Sequence, residues 1–121
     1  MKGIGCAAAA VMVALNTASA LAQDYAGATS AAWCAGALGA YAQPSDPASY
    51  LERARSRHLN IAQGFFGSAG DNGATTLIFE NIGRAGAASC NRACAPQQGE
   101  AREACFNASP DCKRIIACLK E

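Results

Sequence analysis

Cysteine is the residue type that most constrains this chain. Five of its seven cysteines lie in the last third of the chain, the sixth is Cys34, and the seventh, Cys6, lies in an apolar amino-terminal stretch. In a short exported chain an even number of cysteines predicts a disulfide framework, and six cysteines allow fifteen pairings. The residues predicted to form three disulfides are Cys34, Cys90, Cys94, Cys105, Cys112 and Cys118.

The amino-terminal segment, residues 1–22, has the layout of a secretory signal peptide. Lys2 precedes an apolar run, and the small-residue triplet that ends at Ala22 stands just before Asp24. We expect cleavage after Ala22; a cut after Ala20 and retention as a membrane anchor are the alternatives. Cleavage removes Cys6 and leaves residues 23–121 as one disulfide-bonded helical domain, periplasmic or secreted.

Composition predicts an all-α fold, a compact bundle of four to five helices stapled by three disulfides. Residues 23–121 contain no valine and only three threonines, against 22 alanines. A segment so poor in β-branched residues and so rich in a strong helix former is a poor candidate for a sheet. Large apolar side chains are also scarce, so the disulfides are expected to compensate for a thin core.

Five helical segments follow from periodicity and capping signals. Asp46 is expected to cap the second helix, Asp71 or Asn72 the third, and Ser109 the fifth. In the first helix, Gly36 and Gly39 are expected to let a neighbouring backbone come close. The expected helices cover about residues 24–42, 47–66, 100–106 and 110–119, and the third helix is expected to start near Asp71 or Asn72.

The third segment carries two apolar stripes, so it is the expected central helix of the bundle. Both stripes are predicted to be buried, since a helix with two such faces needs neighbours on more than one side. The main stripe consists of Leu77, Ile78, Ile82, Ala85 and Ser89 or Ala93, and the second of Phe79, Gly83, Gly86, Cys90 and Cys94.

Helical geometry restricts the disulfide pairings. Cys112 and Cys118 lie about 9 Å apart along one helix, and Cys90 and Cys94 point in nearly the same direction, so neither pair should bond. If the third and fourth helices form a symmetric antiparallel hairpin about Gln97-Gln98, Cys90 faces Cys105, which is the preferred pair. The partner of Cys34 stays open among Cys94, Cys112 and Cys118.

No motif in the sequence indicates catalysis, a metal or a cofactor. The cysteine spacings lack the pairs typical of zinc sites and thiol exchange, and the carboxylates form no recognisable acid/base pair. His58, the only histidine, falls on an apolar helix face or its edge, so we expect it to be a packed or partly exposed structural residue. The chain is therefore not expected to be an enzyme.

Charge and export narrow the remaining function classes. Without Lys2, nine Lys and Arg residues balance nine Asp and Glu residues, which indicates neither nucleic-acid binding nor stable membrane insertion after cleavage. The first expectation is a non-enzymatic cell-envelope interaction protein, such as an inhibitor, immunity or accessory factor, with another envelope or secreted protein as its partner. The alternative is a carrier of a small apolar ligand or lipid between Ala- and Gly-lined helices.

Overall fold

The structure, a computed structural model, describes residues 24–42 and 45–120. These residues form five helices and no strand. The helices are α1 (residues 24–39), α2 (Tyr50–Ser68), α3 (Ala74–Cys94), α4 (Gly99–Ala108) and α5 (Pro110–Cys118). The predicted all-α bundle with three disulfides is confirmed, whereas the predicted signal peptide, residues 1–22, lies outside the described residues.

Helix α2 begins later than its capping signal predicts. Asp46 does not cap it; residues 45–49 form turns, and the carbonyl of Asp46 accepts a hydrogen bond from the Ser49 amide at 3.1 Å. Ser49 is the N-cap, because its Oγ accepts from the Glu52 amide at 3.2 Å. The hydroxyl thus satisfies one of the amides that the first turn leaves without a partner.

Helix α3 also begins later than predicted, at Ala74. Gly73 precedes it with a φ of 90°, a left-handed conformation that a residue with a Cβ rarely adopts. Asp71 still contributes to the helix start, since its carboxylate accepts from the Thr75 amide at 3.4 Å. The hydrogen bond from the Thr75 hydroxyl lowers the pKa of the Asp71 carboxyl.

Helix α1 is the most deeply buried helix of the bundle, whereas α3, the predicted central helix, contacts α2, α4 and α5 as well as α1. All eight residues from 31 to 38 are buried, so this part of α1 has neighbours on every side. Its side chains belong to two core clusters, one of which surrounds Trp33 and Leu38 while the other contains Ala28, Ala32 and Phe66. Helix α3 is covered on one side and exposed on the other.

Glycines bring the backbones of α1 and α3 into direct contact. A Cβ added to Gly36 would lie 1.9 Å from the Glu80 carbonyl oxygen, and one added to Gly83 would lie 1.9 Å from the Trp33 carbonyl oxygen. The predicted close approach at Gly36 is therefore confirmed. Gly39 makes no such contact, because a Cβ there would reach only the Arg55 Cδ, at 3.7 Å.

The three disulfides join α1, α3, α4 and α5. Cys34 bonds to Cys118, which was one of the three open alternatives, and the two pairs predicted not to bond do not bond. The predicted Cys90–Cys105 bond is wrong. Cys90 bonds to Cys112, and Cys105 bonds to Cys94.

The reason for this error is the relative placement of α3, α4 and α5. Cys94 is the last residue of α3, yet its partner lies six residues after the start of α4, at a Cα separation of 5.7 Å. The two helices therefore do not align as a symmetric hairpin. The first turn of α5 takes the place beside Cys90, with a Cα separation of 5.1 Å between Cys90 and Cys112.

Candidate functional site

An apolar surface runs along the outer side of α3. Leu77, Ile78 and Ile82 are 55%, 57% and 48% exposed, and we call these three residues the α3 face. The prediction that this stripe is buried is wrong. The neighbouring helices pack against the second predicted stripe, where Gly83, Cys90 and Cys94 are buried.

The charges exposed on α3 are basic. Arg84 and Arg92 are exposed, and Arg84 Nη1 donates a hydrogen bond to Asn81 Oδ1 at 2.8 Å. The single acidic residue of the helix, Glu80, is half-buried, and its backbone lies against Gly36 of α1. The α3 face is therefore an apolar strip accompanied by positive charge.

The second surface feature is a groove between α1, α2 and α5. It has a volume of about 490 Å³, within the range of roughly 300–1,000 Å³ that is typical of small-molecule sites. Its walls combine small and bulky apolar side chains with a few polar ones. They include Asp24, Ala28, Ala31, His58, Ile61, Phe65, Arg114 and Ala117.

His58 forms the buried end of this groove. Its side chain is 3% exposed, and its Nε2 lies 2.7 Å from the carbonyl oxygen of Cys118. Because a carbonyl only accepts, Nε2 carries the proton and donates. Of the packed and partly exposed alternatives predicted for His58, the packed one is confirmed.

The histidine also helps to complete the carboxyl end of α5. Carbonyls in the last turn of a helix have no partner within it. His58 donates to the Cys118 carbonyl, and Tyr50 Oη donates to the Leu119 carbonyl at 2.5 Å. Two side chains of α2 therefore hold the end of α5.

Opposite charges lie near the two ends of the groove. The guanidinium carbon of Arg114 lies 4.1 Å from the centroid of the buried Trp33 ring, a cation–π contact beside the Cys34–Cys118 disulfide. Asp24 lies ten residues before Cys34, about 15 Å along α1. Phe65 marks the Asp24 end, because its ring centroid is 6.2 Å from that of Tyr25.

The six cysteines predicted as site residues are all in disulfides that belong to the core. Cys90, Cys94 and Cys112 are fully buried. Neither the α3 face nor the groove was predicted from the sequence as a functional surface. The periodicity of α3 did mark the α3 face, although as a buried stripe, whereas the groove depends on three helices and has no local signal.

No helix in residues 24–42 and 45–120 is both long enough and apolar enough to cross a membrane. No group of three or more His, Cys, Asp or Glu side chains in the same residues has an arrangement that would hold a metal ion.

Comparison with known proteins returns no relative. The chain matches no protein-family model, no curated protein and no solved structure.

Proposed function

We propose that the protein is an exported, non-enzymatic interaction protein that binds another envelope or secreted protein through the α3 face. The observation that carries this proposal is the exposure of Leu77, Ile78 and Ile82 on one side of one helix. Residues 23–121 contain only ten leucines and isoleucines, so this strip holds three of the ten. Contiguous exposed apolar side chains are typical of protein-binding surfaces.

The partner surface that fits the α3 face is an amphipathic helix with acidic flanks. An apolar stripe on such a helix would cover Leu77, Ile78 and Ile82 in the way one helix packs against another. Its acidic residues would lie near Arg84 and Arg92, which supports a partner of opposite charge.

The alternative function is a carrier of a small apolar ligand between Ala- and Gly-lined helices. The α1–α3 interface offers no room for such a ligand, because the two backbones are in contact at Gly36 and Gly83. Small residues at that interface serve close packing. A carrier function would have to use the groove between α1, α2 and α5 instead.

The proposal is tested by native mass spectrometry of protein purified from its own source. In the test variant, Leu77, Ile78 and Ile82 are all replaced by Asn. This removes the apolar surface of the α3 face and leaves that side of the helix exposed to solvent. Burying the exposed halves of three such side chains contributes about 2–4 kcal/mol, so a partner should bind about a hundredfold more weakly to this variant.

Ile61→Asn is the matched control. Ile61 is 48% exposed, as Ile82 is, but it lies on α2 and lines the groove. The wild type and Ile61→Asn should retain the same co-purifying protein, and the triple variant should lose it. Retention of that protein by the triple variant, or a lipid as the sole co-purifying molecule, would contradict the proposal.

A further inference from the structure

The groove between α1, α2 and α5 has the chemistry of a small-ligand site, independently of the α3 face. Its apolar walls come from three different helices, so a ligand there would be held from several sides. Ala28 and Ala31 form a smooth buried floor, while Ile61 and Phe65 stand beside it as larger side chains. Such walls suit a narrow apolar chain.

The polar groups of the groove differ from one end to the other. Arg114 lines the groove together with His58 and the Cys34–Cys118 disulfide, and the face of its guanidinium is stacked on Trp33, which lies outside the groove. Asp24 lies toward the opposite end, where it is exposed. A ligand with one negative group is therefore favoured at the Arg114 end, and a second negative group would meet Asp24.

From this arrangement we infer that the groove binds a monocarboxylate with an unbranched apolar tail. The carboxylate pairs with the Arg114 guanidinium, whose planar donors match a carboxylate, and the tail lies over Ala28 and Ala31 toward Asp24. Ile61 and Phe65 cover one side of the tail and Ala117 the other.

The test uses three ten-carbon probes that differ in their end groups: decanoate, decanedioate and decylamine. Each is added below its aggregation concentration to the oxidised protein, and backbone amide shifts are followed by NMR. Decanoate should shift the amides of Ala28, Ala31 and Ala117. Decanedioate and decylamine should bind at least about tenfold more weakly. Decanedioate places its second carboxylate against Asp24, and decylamine can pair its ammonium only with Asp24, which is exposed and so gives a weak ion pair, while Arg114 is left without an anion.

Variants assign the charges at the two ends. Arg114→Gln should weaken decanoate binding by about tenfold or more, whereas Arg114→Lys, which keeps the charge, should lose less. Lys113→Gln is the control, since Lys113 is an exposed neighbour that does not line the groove. Asp24→Asn should raise the affinity for decanedioate.

A steric variant keeps the test valid if Arg114→Gln disturbs the fold. Ala117→Phe fills the groove without changing its charge and should abolish decanoate binding. Equal affinities for decanoate and decylamine, binding that survives Ala117→Phe, or shifts confined to the α3 face would each overturn the inference. The triple α3 variant should bind decanoate normally, so this result is separable from the partner-binding test.

Discussion

At the level of single residues, the described charged groups form one close side-chain ion pair. Arg55 Nη2 lies 2.5 Å from Glu52 Oε1, and Arg55 Nε donates to Glu52 Oε2 at 2.8 Å. This contact with the guanidinium lowers the pKa of the Glu52 carboxyl and raises that of Arg55. The Glu52 side chain, although charged, is also largely covered in the fold.

The direction of the Glu52 shift predicts how stability depends on acid. A carboxyl with a pKa depressed by folding stabilises the protein above its unfolded pKa, about 4.3 for Glu, and loses that contribution as pH falls through the lower folded value. Arg55→Gln should remove this contribution. The stability gap between wild type and Arg55→Gln should therefore be widest near neutral pH and should narrow below about pH 4.

Urea unfolding of both proteins across that pH range measures the gap. Glu52→Gln serves as the second arm, because it removes the titrating carboxyl and should give the same loss of acid dependence as Arg55→Gln. Parallel stability curves for wild type and both variants would show that this ion pair does not contribute.

At the level of helices, the closest contact is the crossing of α1 and α3. Gly83 faces the Trp33 carbonyl, and Gly86 faces the Trp33 ring, where an added Cβ would lie 2.6 Å from Cζ2. Backbone atoms cannot move aside as a flexible side chain can. The separation of α1 and α3 is therefore set by the absence of a side chain at these positions.

Gly83→Ala should destabilise the protein by about 2 kcal/mol or more, since the new methyl group forces the helices apart. Gly64→Ala is the matched control, because Gly64 lies within α2 and an added Cβ there meets nothing within 4 Å. That control should be neutral or stabilise by up to about 1 kcal/mol through better helix propensity. Chemical denaturation measures both changes, and similar values for the two variants would contradict a tight α1–α3 contact.

At the level of the whole molecule, the disulfides substitute for large core side chains. Among the largest fully buried side chains are those of Leu38 and of the cysteines Cys90, Cys94 and Cys112. Helix α4 contains no fully buried residue and is joined to α3 by Cys94–Cys105. The Cys34–Cys118 bond instead joins α1 to the carboxyl end of α5 across 84 residues of sequence.

The two bonds should differ in their contribution to stability. In the loop-closure account, a bond that spans 84 residues restricts the unfolded chain more than one that spans 11. Replacing Cys34 and Cys118 with Ala should therefore cost about 2 kcal/mol more than replacing Cys94 and Cys105 with Ala. Thermal or denaturant unfolding of the two double variants tests this order.

Peptide mapping under non-reducing conditions is the control for that comparison. Each variant should keep its two remaining native bonds, and the wild type should yield the links 34–118, 90–112 and 94–105. A larger loss of stability in the Cys94/Cys105 variant would show that α4 contributes more than its limited burial indicates.

Local sequence properties were enough to predict the helical fold and the six bonded cysteines. The alanine content and the lack of valine in residues 23–121 favour helices whatever their neighbours are, and the cysteine count is independent of geometry. The close approach at Gly36 was also predictable, because a missing side chain permits contact with any adjacent helix. Capping was predicted less well, since Ser49 and Asp46 are both good caps and the turn at 45–49 selects between them.

The disulfide pairing, the exposed stripe of α3 and the groove depend on how the helices are placed relative to one another. The periodicity of α3 predicts two apolar stripes. Helix α1 covers the second stripe, because only at its glycines can the two backbones touch. The α3 face, Leu77, Ile78 and Ile82, is therefore left exposed. Cys90 meets Cys112 because α5, and not α4, lies beside it. The groove brings residues such as Ala28, Ile61 and Ala117 together from three helices, so no local pattern in the chain encodes it.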